Sequence, residues 1–206
     1  MSSHIAVSNE VFDLRVEPAS THLICGPSNS GKTVKVANIL KHKDSYIKGG
    51  SNIKNIVFCY AAWQEIYSEL DSNGIVSKWV NKMPTNEQFI ELVSDHKEDG
   101  SIVILDDFMQ DISRDLVQIV CVSSRHYNTT TFILFQSLFP AHPLARQISL
   151  NVKYIYLLKN PREKNQVWQI YIYIYIYIKL FIILTDTGTC TPTLTRRSPM
   201  ACGRIS

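Results

Sequence analysis

Apolar residues gather along the chain in short runs that do not alternate with polar ones, at 21–25 (Thr-His-Leu-Ile-Cys), 53–60, 101–105, 130–136 and 153–158. A strand with one wet face alternates. Unbroken, β-branched runs of this length are the pattern of strands covered on both faces. Between the runs the period changes. Residues 34–41 read as a helix, and Trp63, Ile66, Tyr67 and Leu70 fall at i, i+3, i+4, i+7 before Asn73-Gly74. Phe89, Leu92, Val93 and His96 repeat that spacing behind a capping box of Thr85 and Gln88, with Gly100 as terminator; Ile112, Leu116, Ile119 and Val120 form a third stripe after the candidate N-cap Asp111. Strands separated by helices predict βαβ crossovers, hence an α/β fold with a mostly parallel sheet between two helical layers. In such sheets ligands bind beyond the carboxyl ends of the strands.

The last part of the chain follows neither period. Tyr-Ile is repeated four times over 171–178 and runs into Lys179-Leu180-Phe181-Ile182-Ile183-Leu184. Both alternating residues are large and apolar, so both faces would need cover, and Lys179 interrupts a stretch too short for a spanning helix. An alternating T-A dinucleotide repeat read in frame yields Tyr and Ile codons. The expected organisation is therefore a domain over 1–169, incomplete at its C-terminal end, and a low-complexity tail over 170–206 that lies outside the fold. Up to Pro192 the tail is β-prone and carries almost no charge, an aggregation hazard.

Composition narrows the class. With 206 residues, 45% apolar and 19% charged, the chain suits one compact domain and not a disordered, collagen-like or disulfide-scaffold protein. The net charge of +3 belongs to the tail: Lys179, Arg196, Arg197 and Arg204 leave 17 of the 21 basic residues before position 170, and Asp186 leaves 17 of the 18 acidic ones. A neutral body has no broad basic face, so any contact with nucleic acid must come from a few local groups or from oligomerisation. The five cysteines have neither CxxC nor metal-ligand spacing, which suits reduced thiols. Glu10, Asp13, Arg15 and Glu17 within the first 20 residues leave no room for a signal peptide, so the expected location is intracellular, with no secretion and no membrane partner.

The candidate chemistry sits where the fold predicts it. After the run 21–25 comes Gly26-Pro27-Ser28-Asn29-Ser30-Gly31-Lys32-Thr33, a full GxxxxGK[ST] match that opens into a helix. A loop that wraps backbone N–H groups around a phosphate needs glycine at its two tight positions. The helix adds its N-terminal dipole, Lys32 reaches the β and γ phosphates, and the Thr33 hydroxyl holds Mg²⁺. The run Ile102-Val103-Ile104-Leu105 ends in Asp106-Asp107; Asp106 is expected at the metal and Asp107 as general base, although such a pair also starts turns and caps helices. Gln136 closes the 130–136 run, placed to orient water beside a γ-phosphate or to serve as an edge amide. The cofactors expected are ATP and Mg²⁺. A strand between the loop strand and the Asp106 strand, with a polar residue after 130–135, is the layout of additional-strand P-loop ATPases. That implies a three-layer P-loop NTPase sandwich with a five-stranded sheet in the order 5-1-4-3-2. No Asn/Thr-Lys-x-Asp motif for guanine is present.

Five stretches together carry a resemblance: GPSNSGKT, IVFCY at 56–60, ILDDFM at 104–109, SSRHYNTTTFILFQSLFP at 123–140 and RQISLNVKYIYLLKNPREKNQ at 146–166. The chain resembles the FtsK/HerA-type DNA-packaging ATPases of Maverick/Polinton elements and adintoviruses and, more distantly, those of poxviruses and adenoviruses. The likeness runs over about residues 10–168. It implies a ring-forming motor, a hydrolase that drives double-stranded DNA into a virus-like capsid, with the nucleus or the particle assembly site as its place of work and capsid components as partners. It also implies a cation supplied in trans to the γ-phosphate, for which Arg146 is the first candidate, ahead of Arg162 and Arg125. In the family the domain continues past Gln166, where the repeat begins here, so the alternative expectation is an inactive truncated or domesticated remnant that at most binds nucleotide. A host helicase would need further motifs, and none is evident.

Overall fold

A computed structural model describes residues 13–137, 142–159 and the short strand at 182–183. In chain order the elements are β1 (Thr21–Cys25), α1 (Lys32–Lys41), α2 (Lys43–Tyr46), β2 (Asn55–Tyr60), α3 (Glu65–Ser72), β3 (Lys78–Val80) and α4 (Asn86–Val93). They continue with β4 (Ser101–Asp106), α5 (Arg114–Gln118), α6 (Ser124–His126), β5 (Thr129–Phe135), α7 (Ala145–Asn151), β6 (Tyr154–Leu157) and β7 (Ile182–Ile183).

The strands form one sheet in the order β3-β2-β4-β5-β1-β6-β7, and every pairing is parallel. The five expected strands are present in the expected relative order, β6-β1-β5-β4-β2, and two short strands extend the sheet to seven. At one edge β3 is three residues, Lys78-Trp79-Val80, paired with β2. At the other edge Ile182 and Ile183 pair with Tyr156 and Leu157, so the sheet takes in two residues of the stretch expected to lie outside the fold. The Tyr-Ile repeat itself lies outside the described residues.

The strands carry no polar alternation because both faces are covered. On one face Leu23, Val57, Val103, Leu105, Ile133 and Phe135 pack with α4 and α5 through Phe89, Val93 and Leu116, and with Ile148 of α7. On the other, Ile24, Ile56, Phe58, Ile102, Ile104, Phe132 and Leu134 pack with α1 and α3 through Val36, Ile39, Leu40, Tyr67 and Leu70. This is the three-layer α/β sandwich read from the sequence.

Local expectations hold at α4, where the Gln88 amide N–H donates to Thr85 Oγ1 and the Thr85 N–H to Gln88 Oε1, each at 3.2 Å. Gly100 ends the following turns with φ 81°, a conformation that costs glycine little. Two expectations change. Asp111 closes a 3-10 turn, and the N-cap of α5 is Ser113, whose Oγ accepts from the Leu116 N–H at 3.3 Å. The third stripe then continues through a π-turn over Ile119–Ser123, which keeps Ile119 and Val120 in the core. Trp63 precedes α3 rather than lying on it and is 48% exposed. Among the described residues no helix is long and apolar enough to cross a membrane.

Candidate functional site

The loop after β1 is held at both ends. The Gly26 N–H donates to the Phe135 carbonyl at 3.1 Å, and the Leu158 N–H to the Cys25 carbonyl at 2.8 Å, so β5 and β6 clamp the point where the chain leaves the sheet. A Cβ on Gly26 would stand 2.5 Å from Ser30 Oγ and 2.9 Å from Leu158 Cβ, so the first motif glycine is required by close approach. The second, Gly31, is required by conformation: it caps α1 at φ 90°, and Asn29 also sits in the left-handed region at φ 60°.

These turns bring Lys32 back over the loop, where its Nζ donates to the carbonyls of Gly26 at 2.8 Å and Pro27 at 3.0 Å. Partial burial pushes the Lys32 pKa down, against the pull of Asp106 and Asp107. The N-terminus of α1 has no side-chain cap and no acidic residue in its first turn, leaving its orphan N–H groups and positive dipole end for a ligand. Among the described residues the buried Ser30 hydroxyl has no hydrogen-bond partner. A buried orphan beside an uncapped helix start and an ammonium fits an oxygen-rich anion such as a phosphate.

The acidic pair faces this loop because β4 is separated from β1 only by β5. Thr33 Oγ1 donates to Asp106 Oδ2 at 3.1 Å, and Tyr67 Oη donates to the same oxygen at 2.7 Å. Asp106 is 2% exposed; burial pushes its pKa up, and the bonds from Tyr67 and Thr33 oppose that rise. The Tyr67 phenol is pushed up strongly, by burial first and by Asp106 next, and so remains a proton donor. Asp107 is exposed and turns out of the strand at φ 65°, where its Oδ1 accepts from Gln136 Nε2 at 3.1 Å. The residue pair Thr33 and Asp106 is the donor set a hydrated Mg²⁺ takes, a hydroxyl and a carboxylate with hard oxygen atoms.

A cleft of about 600 Å³ lies over these groups, and Ser28, Lys32, Thr33, Asp106, Asp107 and Gln136 all line it. The structure thus brings together the loop, both aspartates and the glutamine singled out from the sequence. It does not bring in the arginines. Arg146 is exposed on α7, Arg125 is exposed on α6, neither lines the cleft, and Arg162 lies outside the described residues. Tyr67 was legible only as a core position of the α3 stripe, and Gln64 and Glu65, which also line the cleft, gave no motif. The signal available was position: both follow β2, the neighbour of the Asp106 strand.

No protein-family model matches the chain. No curated protein matches it either. Among solved structures, the chain is similar to a KaiC-like protein of the hyperthermophilic archaeon Pyrococcus horikoshii, at 12% identity and a TM-score of 0.45, over 70% of this chain and 76% of that one.

Proposed function

We propose that the chain binds ATP with magnesium in the cleft over residues 26–33 and hydrolyses it, as the motor subunit of a DNA-packaging ATPase. The observation that carries the reading is the 3.1 Å hydrogen bond from Thr33 to Asp106, which joins the end of the phosphate-type loop to the end of the acidic strand.

In this reading the loop N–H groups and Lys32 bind the β and γ phosphates, and Lys32 exchanges its carbonyl partners for phosphate oxygens. Thr33 and Asp106 would hold magnesium, which would supply positive charge against the developing negative charge of the phosphates. Asp107, exposed to the cleft and fixed by Gln136, takes the proton of the attacking water. The uncapped start of α1 lowers the cost of the charge that gathers on the γ-phosphate.

The motor reading rests on the five stretches that resemble packaging ATPases. Its partners are double-stranded DNA and capsid components, and its working form is a ring of copies. Two properties of this chain fit a ring. The body up to residue 169 is neutral and has no broad basic face, and a ring would let several copies each contribute a few DNA contacts. Arg146 is exposed outside the cleft of its own chain, as a cation acting on a neighbour must be.

The test is steady-state ATPase activity of the full chain with and without double-stranded DNA, with Lys32→Ala as the negative control. Hydrolysis that DNA stimulates and the substitution abolishes supports the reading. Magnesium-nucleotide binding without turnover under any DNA condition points instead to the inactive remnant.

A further inference from the structure

We infer that Tyr67 is a positioning residue for the metal-binding carboxylate, fixing Asp106 through its phenolic hydroxyl. The inference rests on the reading of Thr33 and Asp106 as magnesium ligands and assigns a role to a residue outside every motif of the sequence.

Geometry carries it. Tyr67 stands on α3, 39 residues before Asp106 in the chain, and its ring is completely buried. Four aromatic rings hold that ring: Phe58 at 4.8 Å, Trp63 at 5.5 Å and 86°, Tyr60 at 5.6 Å and Trp79 at 5.6 Å between centroids. Edge and tilted contacts of this kind give the phenol little rotational freedom. Its hydroxyl reaches Asp106 Oδ2 at 2.7 Å, shorter than the 3.1 Å bond from Thr33 to the same atom.

The effect on the carboxylate follows from its own flexibility. The terminal torsion of aspartate is broad, so a carboxylate at a strand end turns readily unless something outside it fixes the plane. Two donors from different elements, one on α1 and one on α3, converge on Oδ2, and neither uses Oδ1. The carboxylate therefore has one preferred orientation before any ligand arrives. Hydrogen-bond partners of this outer kind change metal affinity by about 10–100-fold when removed.

The arrangement also explains why a tyrosine, not a phenylalanine, stands in an otherwise apolar stripe with Leu70. A buried hydroxyl with no partner would destabilise the fold, and the only acceptor hydrogen-bonded to it among the described residues is the Asp106 carboxylate.

The experiment is a titration of a fluorescent ADP onto the full chain, in EDTA and across a magnesium series, for wild type, Tyr67→Phe, Asp106→Asn and the double variant. Phenylalanine keeps the aromatic packing, and a melting curve on each protein checks that it folds. The expected result is unchanged ADP affinity in EDTA, a magnesium midpoint raised about tenfold in Tyr67→Phe, and no further effect of that substitution once Asp106 is asparagine. A magnesium midpoint equal to wild type overturns the role of Tyr67 while leaving the site reading intact. Weaker binding in EDTA in both backgrounds also overturns it, because that is the mark of a merely structural side chain. A wild-type chain whose ADP binding does not respond to magnesium takes down the site reading first, and this inference with it.

Discussion

Gln136 Nε2 donates to Asp107 Oδ1 at 3.1 Å across the tips of β5 and β4, and Asp107 has a left-handed backbone at φ 65°. An aspartate in this region costs roughly 1 kcal/mol relative to its ordinary conformations. A left-handed aspartate at the mouth of a cleft suits a residue that must point out of the sheet, not one that merely ends a strand. Asp107→Asn tests the assignment cleanly, because asparagine tolerates the same backbone and accepts the same bond from Gln136. The expected outcome is unchanged stability and unchanged magnesium-ATP binding, with single-turnover hydrolysis slowed by about 10²–10⁴-fold. A rate within a few-fold of wild type would remove Asp107 from the base role.

Gly26 differs from an ordinary turn glycine in what it tolerates, and that difference separates binding from folding. At Gly26 a methyl group meets Ser30 Oγ at 2.5 Å and Leu158 Cβ at 2.9 Å, and the Leu158 atom belongs to a backbone-anchored position that cannot swing away. Gly26→Ala should therefore displace the loop, lower stability by about 1–3 kcal/mol and weaken ATP binding at least tenfold. Gly74, beyond the end of α3, has φ 61° and open space around a Cβ. Its alanine variant should lose about 1 kcal/mol and bind nucleotide normally. Calorimetric melting and nucleotide titration of both variants make the comparison. Equal nucleotide affinity in the two would mean that the close packing of Gly26 has no part in holding the loop.

The pattern of the sequence was legible wherever burial on both faces dictated it. β1, β2, β4, β5 and β6 show little apolar–polar alternation because helices cover the sheet on both faces, and the order of those strands places Thr33 opposite Asp106. β3 escaped because three residues paired along one edge need no run, and Lys78 at its start is exposed. The cap of α5 was misplaced by two positions because Asp111 and Ser113 are equally good cap residues, and only the turn at Met109–Asp111 decides between them. Tyr67 was hidden for a different reason. Its spacing with Leu70 marks it correctly as core, and spacing carries no information about a hydroxyl partner 39 residues away.

Arg146 separates a single chain from an assembly. It is exposed on α7 and does not line the cleft of its own chain. Arg146→Ala should leave nucleotide affinity of the isolated chain unchanged. In an assembled ring the same change should slow hydrolysis by about 10³-fold or more, the scale of an arginine supplied in trans. Mixing experiments sharpen the test: adding Arg146→Ala subunits to an Asp107→Asn ring should restore partial activity, since each copy supplies what its neighbour lacks. Full activity of a ring made only of Arg146→Ala would transfer the role to another cation.

His22 couples the stability of the fold to pH. It is fully buried in the middle of β1, stacked on Phe132 at 4.4 Å and Tyr154 at 4.8 Å, with its ring nitrogens bonded to Ser20 Oγ at 2.8 Å and Tyr156 Oη at 3.2 Å. Burial, with a smaller contribution from Lys153, pulls its pKa from 6.5 to about 3. The sign follows from proton uptake. Above pH 6.5 the imidazole is neutral in both states and its contribution is fully present. Between pH 6.5 and about 3 the unfolded chain binds a proton that the folded chain refuses, so stability falls as pH falls, by up to about 1.4 kcal/mol per pH unit. Glu17 and Asp13, whose pKa values are lowered by Lys48 and Arg15, add their losses only at lower pH, while Asp106, whose pKa burial raises, takes up its proton in the folded chain first and opposes the imidazole, so the difference from a variant without the imidazole isolates the His22 contribution. His22→Phe preserves the stack and removes the titration. It should be less stable than wild type at pH 8 by about 1–3 kcal/mol, because the Ser20 and Tyr156 hydroxyls lose a partner, yet show a flatter decline from pH 6.5 to 5. Urea midpoints of the two proteins at half-unit steps of pH measure both effects, and parallel declines would show that His22 takes up its proton in the folded state.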